Sequence, residues 1–321
     1  MRPDPPQDAD TVAEVGEFGL IRRVTAGRTQ PPTTLLGPGD DAAVVAAPDG
    51  RVIASTDVLV ENVHFRLDWS SPEHVGRKAA AVNMADIAAM GALPTALLIG
   101  LACPADTPAS VIDGITAGLW QEAAVAGAGV VGGDMVSSET LVISITALGD
   151  LNGLEPVLRS GAQVGDVVAV CGKLGWAAAG LAVLSRGFRS PVAVVGAQRC
   201  PEPPYAAGPV AAAAGATSMI DTSDGLLADL GHIADASRVG IDLRTELLEA
   251  HPRLIDVASA LGADARHWVL TGGEDHALVA TFPDPAVVPE GWQMIGAVRP
   301  GSGVTVDGRV YEKPPGWEHW R

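Results

Sequence analysis

The sequence predicts an α/β protein of the α+β type that is built as two domains. Its 321 residues are enough for two domains of ordinary size, each with its own core. Hydrophobic residues make up 47% of the chain and charged residues 18%, which is typical of a globular protein. Apolar runs of strand length alternate with alanine-rich stretches of helical spacing, as in α/β architectures. Aromatic residues make up only 4%, so we expect a core of Ala, Val, Leu and Ile.

In the first half, three segments have strand patterns and two have helical patterns. The strands are predicted at 51–59, 95–103 and 141–149. The helices are predicted at 71–92 and 108–128. The strand "RVIASTDVL" is expected to end at an acidic tip, and Gly91 is expected to close the first helix. This alternation predicts a first domain over 1–150.

The second half, 151–321, predicts another α/β domain. "RSGAQVGDVVAVCGKLGWAAAGLAVL" (159–184) is typical of a turn, a strand, a glycine loop and a helix. "SMIDTSDGLLADLGHIADAS" (218–237) predicts a strand, an acidic turn and a helix whose N-cap is one of Thr222, Ser223 or Asp224. "HALVATF" predicts a further strand, whereas "PEPPY" predicts a loop.

The charge and the cysteines restrict the class of protein. A net charge of −17 argues against binding nucleic acid or an anionic membrane surface through a basic face. No apolar run is long enough for a membrane span, and the first residues have no export-signal pattern, so we expect a cytoplasmic protein. Three scattered cysteines predict reduced thiols rather than disulfides or a zinc site.

Carboxylates recur at the ends of apolar segments or among small residues. They are Asp40 and Asp41 in "GPGDDA", Asp57, Asp86, Asp134, Asp221, Asp224, Glu274 and Asp275. Unpaired carboxylates near a core cost several kcal/mol, and few of the 21 Lys and Arg residues stand near these motifs. Divalent cations would satisfy the carboxylates and also offset the phosphates of a nucleotide. Taken singly, Asp86 could be a solvated helix residue, and "GGD" and "GGED" could be plain turns.

Other catalytic motifs are not supported. "GAGVVG" (127–132) follows a predicted helix and leads to a strand, the reverse of the order in a dinucleotide fold. "CGK" lacks the spacing of a phosphate-binding P-loop, and no G-x-S-x-G elbow occurs. No covalent nucleophile is therefore expected.

Taken in order, the motifs resemble the thiamine-monophosphate kinase family, within the superfamily of aminoimidazole ribonucleotide synthetase. The resemblance extends from "GEFGLIRRV" to "GWEHW" and rests on the following stretches: "GDDAAVV", "STDVLVENVHF", "GRKAAAVNMADIAAMGALP", "VGGDMVSS", "RSGAQVGD", "IDTSDGLLADLGHIADAS" and "LTGGEDHAL". The block "STD…NVHF" favours this kinase over its cousins, selenophosphate synthetase and a hydrogenase maturation factor. Both cousins would show a cysteine at positions where this chain has none.

The resemblance implies a synthetase-like fold of two α/β domains, with an N-terminal mixed sheet that pairs across a homodimer. It implies that ATP phosphorylates thiamine monophosphate with the help of several Mg²⁺ ions. The implied Mg²⁺ ligands are Asp41, Ser55, Thr56, Asp57, Asp86, Asp134, Asp221 and Asp224. The implied ATP contacts are Gly133, Asp134, Arg159 and Ser223. The implied substrate contacts are His64 and Glu274, together with Trp317 as the ring that covers thiamine, because Pro314 stands where the family has an aromatic residue.

Some alternatives remain open at the level of sequence. Alternation along an extended chain points Asp40 and Asp41 to opposite sides, and we expect Asp41 to be the ligand while Asp40 holds the turn or supports a ligand. Judged without the resemblance, His64 is better interpreted as a structural histidine. The rival functions are another ATP-dependent synthetase of the superfamily and a non-catalytic sensor of metal or nucleotide.

Overall fold

The computed structural model describes residues 10–38 and 42–317. The chain divides into two compact units. The first unit comprises Met1–Ile87 with Pro94–Asp150, and the second comprises Ala88–Leu93 with Leu151–Arg321. The short segment Ala88–Leu93 therefore belongs with the C-terminal half, although it lies inside the sequence of the N-terminal half.

The first unit is built around a four-stranded sheet. Its elements are α1 (Val12–Val15), α2 (Glu17–Thr25), β1 (Thr34–Leu36), β2 (Val44–Val45), β3 (Ile53–Val60), α3 (Pro72–Ala89), β4 (Leu93–Cys103), α4 (Ala109–Ala126), β5 (Gly129–Ser137) and β6 (Val142–Asp150). The strand order is β3-β6-β4-β5, with β3 antiparallel to β6 and β4 parallel to β5. The sheet is therefore mixed, and β3 and β5 are its two edges.

The two faces of this sheet differ in burial. Along β6, Ile143, Ile145 and Ala147 are buried, whereas the residues between them are partly exposed. The helices α3 and α4 of this unit approach each other very closely. A Cβ added at Gly118 on α4 would lie 2.0 Å from the carbonyl oxygen of Glu73 on α3. This close approach explains why both helices are rich in small residues.

The second unit contains a seven-stranded sheet. Its elements are β7 (Val167–Cys171), α5 (Trp176–Ser185), α6 (Val192–Arg199), α7 (Ala207–Ala213), β8 (Ser218–Asp221), α8 (Leu226–Ser237), β9 (Gly240–Leu243), α9 (Pro252–Leu261), α10 (Ala265–Thr271), β10 (Leu278–Phe282), β11 (Gln293–Arg299), β12 (Gly303–Val306) and β13 (Arg309–Val310). The order is β13-β12-β9-β11-β7-β10-β8, so β8 is an edge strand. It pairs antiparallel with the buried β10, which puts Asp221 opposite Leu278.

Two predicted details are wrong. The strand around Asp57 does not end at that residue, because β3 stays paired with β6 as far as Val60 opposite Val142. None of the three candidate side chains caps α8; its N-cap is Gly225, which makes no side-chain cap. The donors at this end are taken instead by the Asp229 carboxylate, which accepts from the N–H groups of Asp224 (3.2 Å) and Gly225 (3.0 Å).

Other expectations from the sequence are confirmed. Residues 201–204 have no regular structure, and the G-x-G-x-x-G stretch connects α4 to β5. The three cysteines are free thiols. Among residues 10–38 and 42–317, no helix combines the length and apolar character that a membrane crossing needs.

Candidate active site

In the first unit, three of the predicted ligands lie where β3 faces α3. The Ser55 hydroxyl on β3 donates to the Asp86 carboxylate on α3 at 2.7 Å. Asp57 is two residues further along the strand, so its side chain is on the same face as that of Ser55. Its backbone N–H donates to the buried Asn83 side chain at 2.8 Å. Asp86 is thus part of a polar cluster, and its interpretation as a solvated helix residue is wrong.

Thr56 and Asp134 are not part of this cluster. The Thr56 hydroxyl points to the opposite face of the sheet, where it donates to the carbonyl oxygen of Ile145 at 2.9 Å. Asp134 and Gly133 are exposed on β5, the edge strand remote from β3. Gly100 pairs with Asp134 and lies beside Ser144, which places Asp134 on the same face as Thr56. The fourth predicted ligand of the first unit, Asp41, lies outside the described residues, as does Asp40.

A cavity of about 890 Å³ adjoins Gly133 and Asp134. Its walls come from α2, α4, the central strands and the segment around β1 and β2, and they are mainly apolar. The side chain of Trp120 and the hydroxyl-bearing Thr116, both on α4, are among the lining residues that sequence reasoning did not select. The combination of an apolar cavity and one adjacent carboxylate is typical of a small-molecule site.

His64 has a structural role in the turn that follows β3. Its Nδ1 accepts a hydrogen bond from the N–H of Val60 at 3.0 Å. The buried Lys78 side chain on α3 donates to the carbonyl oxygen of His64, also at 3.0 Å. The turn therefore has a fixed conformation, which orients the imidazole before any ligand is bound.

In the second unit, one acidic turn gathers predicted site residues that are distant in sequence. Asp221 ends β8 and is 4% exposed, and the turn continues to Gly225. The carbonyl oxygen of Ser223 accepts from the N–H of Glu274 at 2.7 Å, and that of Asp224 accepts from the N–H of Trp317 at 3.0 Å. Residues around this turn therefore include predicted contacts to the metal, the nucleotide and the substrate.

Arg159 is attached beside the same edge strand. The carbonyl oxygen of Leu158 accepts from the N–H of Met219 on β8 at 3.3 Å, and the Ser237 hydroxyl donates to the carbonyl oxygen of Arg159 at 2.8 Å. These bonds hold the backbone, while the Arg159 residue is exposed. Its guanidinium is accordingly available to a phosphate group.

Two buried carboxyl groups near the turn have raised pKa values, because their surroundings disfavour the ionised form. Burial, together with the negative charges of Asp221 and Asp224, raises the pKa of Asp229 to about 8 against the opposing N–H bonds. Burial also raises the pKa of Asp275 to about 7, although its carboxyl accepts from the N–H groups of Ala177 and Gly175 at the start of α5. Asp221 and Asp224 thus act on Asp229 as neighbouring negative charges, which a cation at the turn would offset.

The oxygen donors of both units suit Mg²⁺. Within the described ranges no three His, Cys, Asp or Glu residues are grouped as a complete metal cage. Mg²⁺ commonly uses one or two carboxylates and fills its other positions with water and substrate phosphates. Each unit offers a small set of such ligands that would leave coordination positions for water and phosphate. These are Ser55, Asp57 and Asp86 in the first unit, and Asp221 and Asp224 in the second.

Comparison with known proteins identifies the family of the chain. Residues 39–151 match the family described as AIR synthase related protein, N-terminal domain. A thiamine-monophosphate kinase of Mycobacterium tuberculosis H37Rv is 53% identical over 313 residues, which cover 97% of this chain and 93% of that protein. The chain belongs to the thiamine-monophosphate kinase family. Another family member, from Corynebacterium glutamicum, is 42% identical over 327 residues, covering 98% of this chain and 96% of its own.

Solved structures of the family have the same fold. AaThiL complexed with AMPPCP and TMP superposes with a TM-score of 0.80 at 33% identity, covering 98% of this chain and 100% of that one. The thiamine-monophosphate kinase of Stenotrophomonas maltophilia K279a gives 0.77 at 31% identity, covering 91% and 95%. The predicted α/β fold class is therefore confirmed.

Sequence reasoning missed three polar residues that hydrogen-bond to predicted ligands or to the acidic turn, namely Asn83, Asp229 and His276. Asp275 was among the candidate carboxylates, but its bonds to α5 were not expected. A polar residue three positions before Asp86 in an alanine-rich helix was the available signal for Asn83. An acidic residue in the first turn of α8 was the signal for Asp229. His276 had no local signal, because its partner is remote in sequence.

Proposed function

We propose that this chain transfers the γ-phosphoryl group of ATP to thiamine monophosphate, giving thiamine diphosphate and ADP. The observation that carries the proposal is the acidic turn from Asp221 to Asp224, to which Glu274 and Trp317 are bound through their backbone N–H groups. Support comes from AaThiL, which is complexed with AMPPCP and TMP. We propose the cytoplasm as the location.

The proposed ligands of several Mg²⁺ ions are the same as those implied by the sequence. They are Asp41, Ser55, Thr56, Asp57, Asp86, Asp134, Asp221 and Asp224. Bound Mg²⁺ would neutralise phosphate charge and hold the two reacting phosphates together. The Thr56 hydroxyl donates its proton to the carbonyl oxygen of Ile145, and we propose that the lone pairs of its oxygen bind the cation. The chain's net charge of −17 makes cations necessary for binding two polyanions.

The remaining residues position the substrates. Gly133, Asp134, Arg159 and Ser223 are proposed to contact ATP, with the cavity beside β5 receiving its apolar part. His64 and Glu274 are proposed to contact thiamine monophosphate, and Trp317, which is 63% exposed, would cover its rings. The acceptor is a phosphate oxygen that is already ionised near neutral pH, so no strong general base is required. Transfer depends on in-line positioning and charge neutralisation, without a protein nucleophile.

We also propose a homodimer formed through the first unit. The open face of the four-stranded sheet bears Val58 on β3 and Val136 on β5, which are 49% and 55% exposed. Exposed aliphatic side chains on both edge strands suit contact with a second copy of the same sheet. In this proposal the first unit binds Mg²⁺ and ATP and forms the dimer, and the second is the C-terminal α/β domain.

The experiment is incubation of the full chain with ATP, Mg²⁺ and thiamine monophosphate, followed by chromatography. We expect thiamine diphosphate and ADP in equal amounts, and no reaction when thiamine replaces its monophosphate. Folded protein that binds ATP but forms no diphosphate would contradict the kinase assignment. Consumption of ATP only with a different small acceptor would favour the synthetase alternative, and ATP binding without any turnover would favour a sensor.

A further inference from the structure

The segment from Glu274 to Ala277 is bound along the acidic turn by its backbone. Besides the bond from Glu274, the N–H of His276 donates to the carbonyl oxygen of Thr222 at 2.9 Å. The N–H of Ala277 donates to the Thr222 hydroxyl at 3.0 Å. Three of the four N–H groups of this segment are thus used, and the segment cannot shift without breaking several bonds at once.

Asp275 attaches the same segment to the rest of the second unit. Its buried carboxyl accepts from the N–H groups of Gly175 and Ala177 at the N-terminus of α5. His276 itself has a φ of 52°, in the left-handed region that a non-glycine residue adopts only at a cost. The neighbouring bonds maintain this conformation, and it turns the imidazole toward β8.

The His276 ring meets the buried end of β8. Its Nδ1 lies 2.9 Å from Oδ2 of Asp221, and the two residues are 6% and 4% exposed. An ionised carboxylate can only accept, so the ring nitrogen carries the proton in this bond. One carboxylate oxygen of Asp221 is thereby occupied, and the other is left for a ligand.

We propose that His276 is a positioning residue that fixes the Asp221 carboxylate in the orientation needed to bind the cation. The inference rests on the proposed function, in which Asp221 is a Mg²⁺ ligand. Histidine acts here through the ligand and does not touch the metal. Such supporting bonds around a metal site change affinity by about 10-fold to 100-fold when they are removed.

The test compares two variants at position 276. Asn tolerates the left-handed conformation and can present an amide N–H where Nδ1 stood, whereas Gly tolerates the conformation but has no donor. Mn²⁺ serves as the probe, and its free concentration is measured by electron paramagnetic resonance on the full chain. We expect His276→Gly to weaken the binding that Asp221→Asn also weakens, by about 10-fold or more. His276→Asn should stay within about 3-fold of the parent protein.

Controls separate the proposed metal site at the acidic turn from the proposed positioning role of His276. His232→Asn changes an exposed histidine on α8 and should leave Mn²⁺ binding unchanged. If Asp221→Asn has no effect on binding, the proposed metal site at the turn is wrong. If Asp221→Asn weakens binding but His276→Gly does not, or if His276→Asn is as weak as His276→Gly, the positioning role is overturned.

A second measurement needs no destabilising variant. In protein labelled with ¹⁵N in its histidines, the His276 signal is assigned by its loss in His276→Asn. We expect a protonated Nδ1 whose shift moves when Mg²⁺ is added, and loss of that movement in Asp221→Asn. An Nδ1 signal of His276 that stays unchanged at saturating Mg²⁺ would overturn the proposal even if His276→Gly does not fold.

Discussion

Asp57 and Asp134 lie inside strands on opposite faces of one sheet, and each can be tested alone. Conversion to Asn preserves shape, and the N–H of Asp57 that bonds to Asn83 remains. We expect Asp57→Asn and Asp134→Asn each to lower kcat by about 100-fold or more, since each tenfold step is about 1.4 kcal/mol of lost transition-state stabilisation. Steady-state kinetics at limiting Mg²⁺, with thermal melting to check the fold, makes the measurement.

The exposed Asp106 is the matched control in the same unit. Asp106→Asn should behave like the parent protein in both measurements. Near-normal activity of both Asp57→Asn and Asp134→Asn at limiting Mg²⁺ would mean that the cations bind elsewhere.

Asp275 makes the stability depend on pH. Its pKa is raised by burial to about 7, so the folded state holds this proton more tightly than the unfolded state does. The contribution of this proton to the unfolding free energy is fully present below about pH 4 and is lost as the pH rises toward about 7. Relative to Asp275→Asn, we expect the unfolding free energy of the parent to fall by about 2–3 kcal/mol from about pH 5 to about pH 8.

Urea unfolding at both pH values measures this difference. The exposed Asp256 on α9 provides the control. The difference in unfolding free energy between the parent protein and Asp256→Asn should be the same at both pH values. A parent protein that gains stability relative to Asp275→Asn as pH rises would show that Asp275 is held ionised by the α5 N–H groups.

At the scale of elements, the C-terminal segment is attached to the first turn of α8. A Cβ added at Gly316 would lie 2.4 Å from the carbonyl oxygen of Asp224 and 2.7 Å from the Cβ of Ala228. Gly316→Ala should therefore displace Trp317 from the acidic turn. We expect KM for thiamine monophosphate to rise by about tenfold, with a smaller change in KM for ATP, because an interaction with one substrate is lost.

Gly231 on the same helix has open space at its Cβ position. Gly231→Ala should leave both KM values unchanged and raise the melting temperature slightly, since Ala favours a helix by up to about 1 kcal/mol over Gly. An unchanged KM for thiamine monophosphate in Gly316→Ala would separate the C-terminal segment from substrate binding.

Periodicity predicted the helices and strands next to the candidate motifs, which are fewer than half of those in the described residues, and it did not predict how they end. α3 and α4 follow from long alanine-rich runs, whereas the end of β3 depends on its pairing with β6, which the sequence of β3 does not contain. The cap of α8 was mispredicted because Asp229, inside the helix, supplies the acceptor. His276 and Asp275 were missed as supporting residues for a similar reason, since their partners are in other elements. Local sequence patterns identify candidate ligands, whereas the residues that hydrogen-bond to those ligands are determined by tertiary contacts.

At the scale of the whole molecule, the proposed dimer can be dissociated on purpose. Val136→Asp introduces a charge on the open face of the four-stranded sheet. We expect the parent chain to have twice the monomer mass by light scattering, and Val136→Asp to shift toward monomer because a buried unpaired charge costs several kcal/mol. Val125→Asp on α4, also exposed, should stay dimeric. A monomeric parent protein would contradict the proposal.

The central claim is direct transfer between two substrates, without a phosphorylated protein intermediate. It rests on the proposed Mg²⁺ ligands, which would neutralise and align the two phosphates, and none of these residues is proposed as a nucleophile. The most direct measurement is the stereochemistry of transfer from ATP made chiral at its γ-phosphorus by oxygen isotopes. One in-line displacement predicts inversion of configuration in thiamine diphosphate. Retention would contradict the account, because it requires two displacements and a covalent intermediate on the protein.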